Sequence, residues 1–334
     1  MSVPNRVVSE QAWRNLGLDL VRATEAAALA AGRWMGMGGG AEADESAAGA
    51  MLGVLNTLAI DGRVVIGEEG RANTCPLPST GQRVGTGQGP EVDLVVDPID
   101  GRDLLARGHP GAMAVMAGAV RDGFWCPAPA LYMDKIVVSS EVADALVPEC
   151  MDAPAAWTLA LIARVKGVPL SDLTVFVLDR PRHAHLVDEI RAAGVRVMLR
   201  TEGDIYGALL AATPGSGVDA MMGVGGIPEG LIAACALKAL GGAMLGRLAP
   251  QSAEERAGAE AAGLDLRRVL MINELVAGRM VFFAATGITD GPLLSGVRYD
   301  GARARSNSLI MRGETGTRRT IVAEHLLENR LPVG

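Results

Sequence analysis

From Leu18 to Trp34 the chain is rich in alanine and free of proline and, up to Gly32, of glycine. This predicts a helix that closes in the glycine cluster Gly36, Gly38, Gly39 and Gly40. Behind Asp44, which reads as an N-cap, Ala47, Met51, Val54, Leu55 and Leu58 recur at helical spacing and predict a second helix. Short β-branched runs bounded by turn residues then predict strands: Val64 to Ile66, Val92 to Val96, and Met113 to Val120. Gly85, Gly87 and Gly89, at alternate positions before Pro90, predict a surface loop. From about residue 154 the rhythm alternates. Trp157 to Val165 reads as helix, Thr174 to Leu178 as strand, His185 to Ala193 as helix and Val195 to Leu199 as strand. Val218 to Met222 is a strand leading into Gly223-Val224-Gly225-Gly226, and Pro228 opens a helix over Glu229 to Leu240. Strands at Met280 to Ala285, Leu309 to Met311 and Thr320 to Val322 finish the pattern. The fold class implied is α+β and α/β layered: an N-terminal α+β half, residues 1–150, and a C-terminal α/β half, residues 151–334, with no internal repeat and no obvious linker.

Aromatic residues make up only 3% of the 334 positions against 49% hydrophobic overall, so the core has to be built from Ala, Val, Leu, Ile and Met. The net charge of −7, with no block of basic residues, argues against nucleic acid as a partner. The polar start, Met1 to Arg14, and the lack of an apolar run near the roughly 18 residues of a membrane span predict a cytoplasmic protein without a membrane partner. Cys75, Cys126, Cys150 and Cys235 are far apart, with no CxxC pair, and read as reduced structural residues.

Chemistry is expected where acids end apolar strands, because a carboxylate there points into a cleft and must be paired or metal-bound. Two places qualify: Ile66-Gly67-Glu68-Glu69, and Asp97-Pro98-Ile99-Asp100-Gly101, where Pro98 stiffens the backbone between two acids. Alone, the second would read as a helix cap. With the first upstream, converging carboxylates predict a site for Mg2+ or Mn2+, which prefer hard oxygen ligands. The four histidines, His109, His183, His185 and His325, read as structural or exposed.

Asp-Pro-Ile-Asp-Gly after an apolar strand, with Ile66-Gly67-Glu68 about thirty residues before it, resembles the metal-dependent, lithium-sensitive sugar and inositol phosphatase superfamily. Tyr132-Met133-Asp134-Lys135-Ile136, Arg180-Pro181-Arg182-His183, Gly203-Asp204, Gly225-Gly226-Ile227-Pro228-Glu229-Gly230 and Ala285-Thr286-Gly287-Ile288-Thr289-Asp290-Gly291 narrow the resemblance to class II fructose-1,6-bisphosphatases, as a diverged member, from about Leu18 to the last strand. The resemblance implies a sugar-phosphatase fold and hydrolysis of fructose 1,6-bisphosphate to fructose 6-phosphate and phosphate by a metal-activated water. It also implies a place in carbohydrate metabolism, as in gluconeogenesis, and a homodimer or homotetramer. By position, Glu68, Asp97, Asp100 and Glu229 would hold the metals, with Glu68, Asp97 and Arg102 at the reacting centre. Gly101 and the amide after it would hold the scissile phosphate. Arg180 and Arg182 would hold the second phosphate, with Tyr132 and Lys135 beside it and Asp204, helped by Glu202, near the sugar hydroxyls.

Departures from the family pattern cluster at the reacting centre. Gly36-Met37-Gly38-Gly39-Gly40 stands where the family has Gly-Arg-Gly-Asp-Lys; Glu45 replaces a glycine after Asp44; Gly111 stands where Asn is usual. Glu69-Gly70 inverts the usual order, giving the Gly-Glu-Glu form found in inositol-phosphatase relatives. Arg102 stands where the family has a threonine that orients the attacking water, and a guanidinium cannot relay a proton. Loss of an acid at Gly39 and gain of a cation at Arg102 offset each other and imply a site holding fewer metals. Two further readings stay open: a diverged paralogue acting on another sugar phosphate, and a catalytically degenerate sugar-phosphate-binding protein.

Overall fold

The computed structural model describes residues 6–67 and 78–327. Helices α1 (Arg6–Ala31) and α2 (Gly40–Leu55) precede β1 (Asp61–Ile66), β2 (Arg83–Val84) and β3 (Glu91–Asp100), then α3 (Arg102–Ala106) and β4 (Met113–Val120). Next come β5 (Tyr132–Val138), α4 (Ala155–Lys166), β6 (Thr174–Leu178), α5 (Ala184–Ala192), β7 (Arg196–Arg200), α6 (Asp204–Ala212) and β8 (Ala220–Gly226). They are followed by α7 (Ile227–Leu240), β9 (Ala243–Leu248), α8 (Ala253–Ala261), β10 (Leu270–Met271) and α9 (Ile272–Leu275). The last strands are β11 (Val281–Gly287), β12 (Arg298–Asp300), β13 (Arg303–Arg312) and β14 (Thr317–Leu326).

These elements form two compact units. The first takes the described residues within Met1–Gly118, Phe282–Met311 and Arg318–Gly334; the second takes Ala119–Val281 and Arg312–Thr317. A division at residue 150, which the change of rhythm suggests, differs from this. Strand β11, far along the chain, lies beside β4 in the first unit's sheet, while β5 lies between β9 and β8 in the second. Strand pairing, which a one-dimensional rhythm does not record, makes the first unit discontinuous.

In the first unit the strand order is β12-β13-β11-β4-β3-β1-β2, with β14 paired to β13. Val92, Leu94, Val95 and Val96 of β3 are all fully buried, as in a strand covered on both faces, and α1 and α2 pack on each other and against it. In the second unit the order is β10-β9-β5-β8-β6-β7. Strands β8, β6 and β7 run parallel and β5 runs antiparallel to both its neighbours. The start of β5 therefore meets the carboxyl ends of β8, β6 and β7 at one edge, where open α/β sheets place ligands. Helix α7, apolar along nearly its whole length, is buried from Ile227 to Leu237 apart from Glu229.

Two boundaries change the reading of site residues. Asp44 is not an N-cap: α2 starts at Gly40 with Gly39 before it, and Asp44 lies inside the helix on its buried side. Nor do Asp97 and Asp100 follow their strand, since β3 runs on through both. Its pairing with β1 ends at Val95, so the acids occupy the stretch beyond that ladder. Among the described residues no helix is long and apolar enough to cross a membrane.

Candidate active site

At the acidic strand end of the first unit, the three aspartates of β3 have different surroundings. Asp93 is bound by the Arg63 guanidinium in two parallel contacts, Nε to Oδ1 at 3.1 Å and Nη2 to Oδ2 at 2.8 Å, and is thereby a structural ion pair. Asp97 is 3% exposed, and its Oδ1 accepts the Ile99 N–H at 3.0 Å, which holds the Pro98 turn of the backbone. Asp100 is 6% exposed. Gly101 follows with φ 93° and ψ 48°, a left-handed conformation that suits glycine, and starts α3. A Cβ at that position would lie 3.1 Å from the Leu104 side chain and 3.2 Å from the Ala112 backbone, so the turn is closed on both sides.

Arg102, the first residue of α3, turns back to α2: its Nε lies 3.2 Å from Asp44 Oδ1, with the side chains 25% and 7% exposed. Arg102 is thus matched to a buried acid. The glycine-rich segment before α2 is tied to the same helix, Gly36 N–H to the Leu105 carbonyl at 2.9 Å and Gly38 N–H to the Ala106 carbonyl at 3.1 Å. At Gly111 the N–H donates to the Thr289 hydroxyl at 2.9 Å, as does that of Ala112, so Thr289 fixes the backbone there.

Hard carboxylate oxygens at Asp97 and Asp100 suit a small divalent cation. Glu68 lies outside the described residues, as do Glu69, Gly70 and Cys75, and among the described residues no group of three or more acid, histidine or cysteine side chains gathers to hold a metal. The carboxylate chemistry fits a hard divalent cation such as Mg2+ or Mn2+.

At the edge of the second unit, Lys135 and Asp204 form an ion pair with the lysine only 1% exposed and the aspartate 6%. Asp204 opens α6 behind Gly203, whose φ is 96°. Gly225 lies across the β5–β8 ladder opposite Met133, and a Cβ there would overlap both the Asp204 carboxylate and the Lys135 amine. Arg182 lies 5.5 Å from the Tyr132 ring centre, in cation–π geometry, and donates to the Val224 carbonyl at 3.0 Å. Arg180 faces Glu202 at 3.8 Å. Burial holds the Asp134 carboxyl above its usual value, and Arg247 at 3.7 Å works against that rise. Glu229 is half-buried in the first turn of α7.

His183 is structural, as its sequence context implies. Its Nδ1 lies 2.7 Å from the Leu178 carbonyl and its Nε2 accepts the Val224 N–H at 2.8 Å, which fixes the neutral ring with the proton on Nδ1. Gly223 leaves room for that ring, since a Cβ there would lie 2.9 Å from Nε2. His109 and His185 are exposed, and His325 bonds the Ser306 hydroxyl at 2.8 Å. Cys126, Cys150 and Cys235 are free thiols.

Sequence reasoning missed two residues at this edge. Arg200, at the carboxyl end of β7, lies 5.4 Å from the Tyr206 ring centre on α6. Glu255 of α8 accepts the N–H groups of Leu131 and Tyr132 at 2.8 and 3.1 Å. The second had a signal, since Ser252-Ala253-Glu254-Glu255 has the spacing of a helix-capping box.

Buried acids, a glycine turn at a helix start, and guanidinium groups beside Tyr132 and Glu202 are residue types with which enzymes handle phosphate esters. Residues 14–325 match the family of bacterial, glpX-encoded fructose-1,6-bisphosphatases. Fructose-1,6-bisphosphatase 1 class 2 of Escherichia coli is 37% identical over 332 residues, covering 96% of this chain and 97% of its own. The fructose-1,6-bisphosphatase class 2 of Shigella flexneri matches to the same extent. The chain belongs to the class 2 fructose-1,6-bisphosphatase family, a family of phosphoric monoester hydrolases.

Two outcomes follow from the second unit. Gly225→Ala forces Lys135 and Asp204 apart and is expected to cost about 3–5 kcal/mol, the scale of breaking a buried ion pair, read from urea unfolding midpoints. Burial lowers the His183 imidazole below its ordinary 6.5, although its bond to the Leu178 carbonyl works the other way. The unfolded chain therefore takes up this proton first as pH falls. The stability that neutral His183 contributes is full above about pH 6.5 and is lost as pH drops toward the folded value. Melting temperature should accordingly fall less steeply from pH 7 to 5 in His183→Asn than in the parent; parallel slopes would exclude His183 as the source.

Proposed function

We propose that this protein hydrolyses fructose 1,6-bisphosphate, transferring one phosphoryl group to water and releasing fructose 6-phosphate and inorganic phosphate. The observation that carries this reading is the family match, which spans residues 14–325 and so includes every motif singled out in the sequence. Asp97 and Asp100 are the proposed ligands of Mg2+ or Mn2+, and Glu68 and Glu229 are carried as ligands by their motif positions. A divalent ion bound by such acids supplies an acidified water and neutralises phosphoryl oxygens. Gly101 and the amide after it receive the scissile phosphate at the start of α3.

Arg102 has no proton to relay, so its contribution is charge: a guanidinium held against Asp44 offsets one acid at this end of the first unit. This supports a smaller metal complement than the family motif implies. At the edge of the second unit, Arg182 and Arg180 take the second phosphate with Tyr132. Lys135 serves chiefly to hold Asp204, helped by Glu202, toward the sugar hydroxyls, because its charge is already met by that carboxylate. The reading includes descent from the lithium-sensitive phosphatase superfamily, a cytoplasmic and gluconeogenic role, and a homodimer or homotetramer.

Phosphate release from sugar mono- and bisphosphates, with Mg2+ or Mn2+, tests the activity. Turnover should be highest on fructose 1,6-bisphosphate and should fall about a hundredfold or more in Asp97→Ala, since even groups one shell beyond a metal cost roughly 10–100-fold when removed. Turnover that survives Asp97→Ala would sink the assignment. No turnover, with thermal stabilisation by the bisphosphate retained, would favour a sugar-phosphate-binding protein instead. Calorimetric titration with Mn2+ addresses Arg102: Arg102→Thr should bind about one further equivalent per chain, and an unchanged stoichiometry would refute the role of its charge.

A further inference from the structure

The segment Leu131–Tyr132, just before and at the start of β5, has all four of its backbone polar groups satisfied by other elements. The Leu131 carbonyl accepts the N–H of Ile227, the first residue of α7, at 2.9 Å, and the Tyr132 carbonyl accepts the N–H of Ala249, beyond β9, at 3.0 Å. Both N–H groups go to one side-chain atom, Oε1 of Glu255, at 2.8 and 3.1 Å. The second oxygen of that carboxylate accepts the Gln251 N–H at 2.7 Å.

This is an unusual use of the residue. Ser252 caps α8 by accepting the Glu255 N–H at 3.0 Å, and in a capping box the partner glutamate would reach back to the N–H of the cap residue itself. Here the carboxylate is turned off its own helix and bridges to a distant strand. A carboxylate that accepts three N–H groups is charge-assisted and fixed in direction. Its local helix does not require the arrangement, since the Ser252 cap is made without it.

What it fixes is the start of β5. Tyr132 is the residue whose ring stands 5.5 Å from the Arg182 guanidinium, and Leu131 anchors the first turn of α7. We infer that Glu255 is a positioning residue for sugar-phosphate recognition: it sets the backbone of Tyr132, and through the Tyr132 ring the place of Arg182, without touching substrate. This rests on the reading that Tyr132 and Arg182 bind the second phosphate.

Steady-state kinetics on fructose 1,6-bisphosphate with Mg2+ test it in the full-length protein. Glu255→Ala should raise KM about tenfold with kcat within about twofold, and Glu255→Gln, which keeps a side-chain carbonyl in the Oε1 position, should recover most of the loss. On a Tyr132→Ala background, Glu255→Ala should add less than about twofold, because its effect passes through that residue. An unchanged KM in Glu255→Ala while Arg182→Ala raises KM overturns the inference and leaves the substrate reading standing. A full tenfold effect that persists in the Tyr132→Ala background, or a matched fall in kcat, overturns it in favour of a general structural role. If Arg182→Ala and Tyr132→Ala leave KM untouched, the reading beneath it fails as well. Should Glu255→Ala not fold, Glu255→Gln against Glu255→Leu in the same kinetics decides between these outcomes.

Discussion

A lysine and an aspartate removed from water together set the terms for the second unit. Lys135 and Asp204 are nearly inaccessible, and two charges in that position are tolerable only while they remain in contact. Several local choices serve that contact. Lys135 sits on β5 directly opposite Gly223, and Gly225 two positions further along β8 has no side chain where the two charged heads meet. Gly203 turns the chain in a left-handed conformation so that α6 begins at the aspartate. His183 closes the neighbouring gap by joining the end of β6 to Val224 through its two ring nitrogens. The glycines of β8 and one neutral imidazole give the pair its position, and Arg182 donates to the Val224 carbonyl beside it.

The first unit meets a similar constraint with a different arrangement. Asp93, Asp97 and Asp100 lie on one strand, all buried, and the innermost is neutralised by Arg63 on the neighbouring strand. The outer two lie beyond the ladder with β1, where Asp97 Oδ1 accepts the Ile99 N–H and Asp100 ends the strand. Asp44, buried on α2, is met from within by Arg102. A buried carboxylate needs a counter-charge or hydrogen bonds, and at Asp93 and Asp44 a guanidinium of the fold lies against it.

Much of this was legible beforehand. The apolar run before Asp97 and its sharp end at Gly101 marked a buried strand meeting a helix start, because hydrophobic periodicity and glycine turns are local properties. The ordered motifs from Asp97 to Asp290 marked the family. Local pattern misleads, or says nothing, where a neighbour in space overrides a local preference. Asp44 has the composition of an N-cap and sits inside a helix, its carboxylate turned toward Arg102. Glu255, which no sequence reading singled out, serves a strand 123 residues away. The acid partner of Arg102 lies more than fifty positions earlier, a contact that no spacing rule connects to it.

The sequence by itself therefore determined the elements, the acidic and cationic motifs and the phosphatase family, since each is written in short-range pattern and residue chemistry. Tertiary structure alone decided which charges are already balanced, which glycines are obligatory, and that β11 returns beside β4 to complete the first unit's sheet. Electrostatic balance and strand pairing depend on distances between residues remote in the chain, and those distances exist only once the chain has folded.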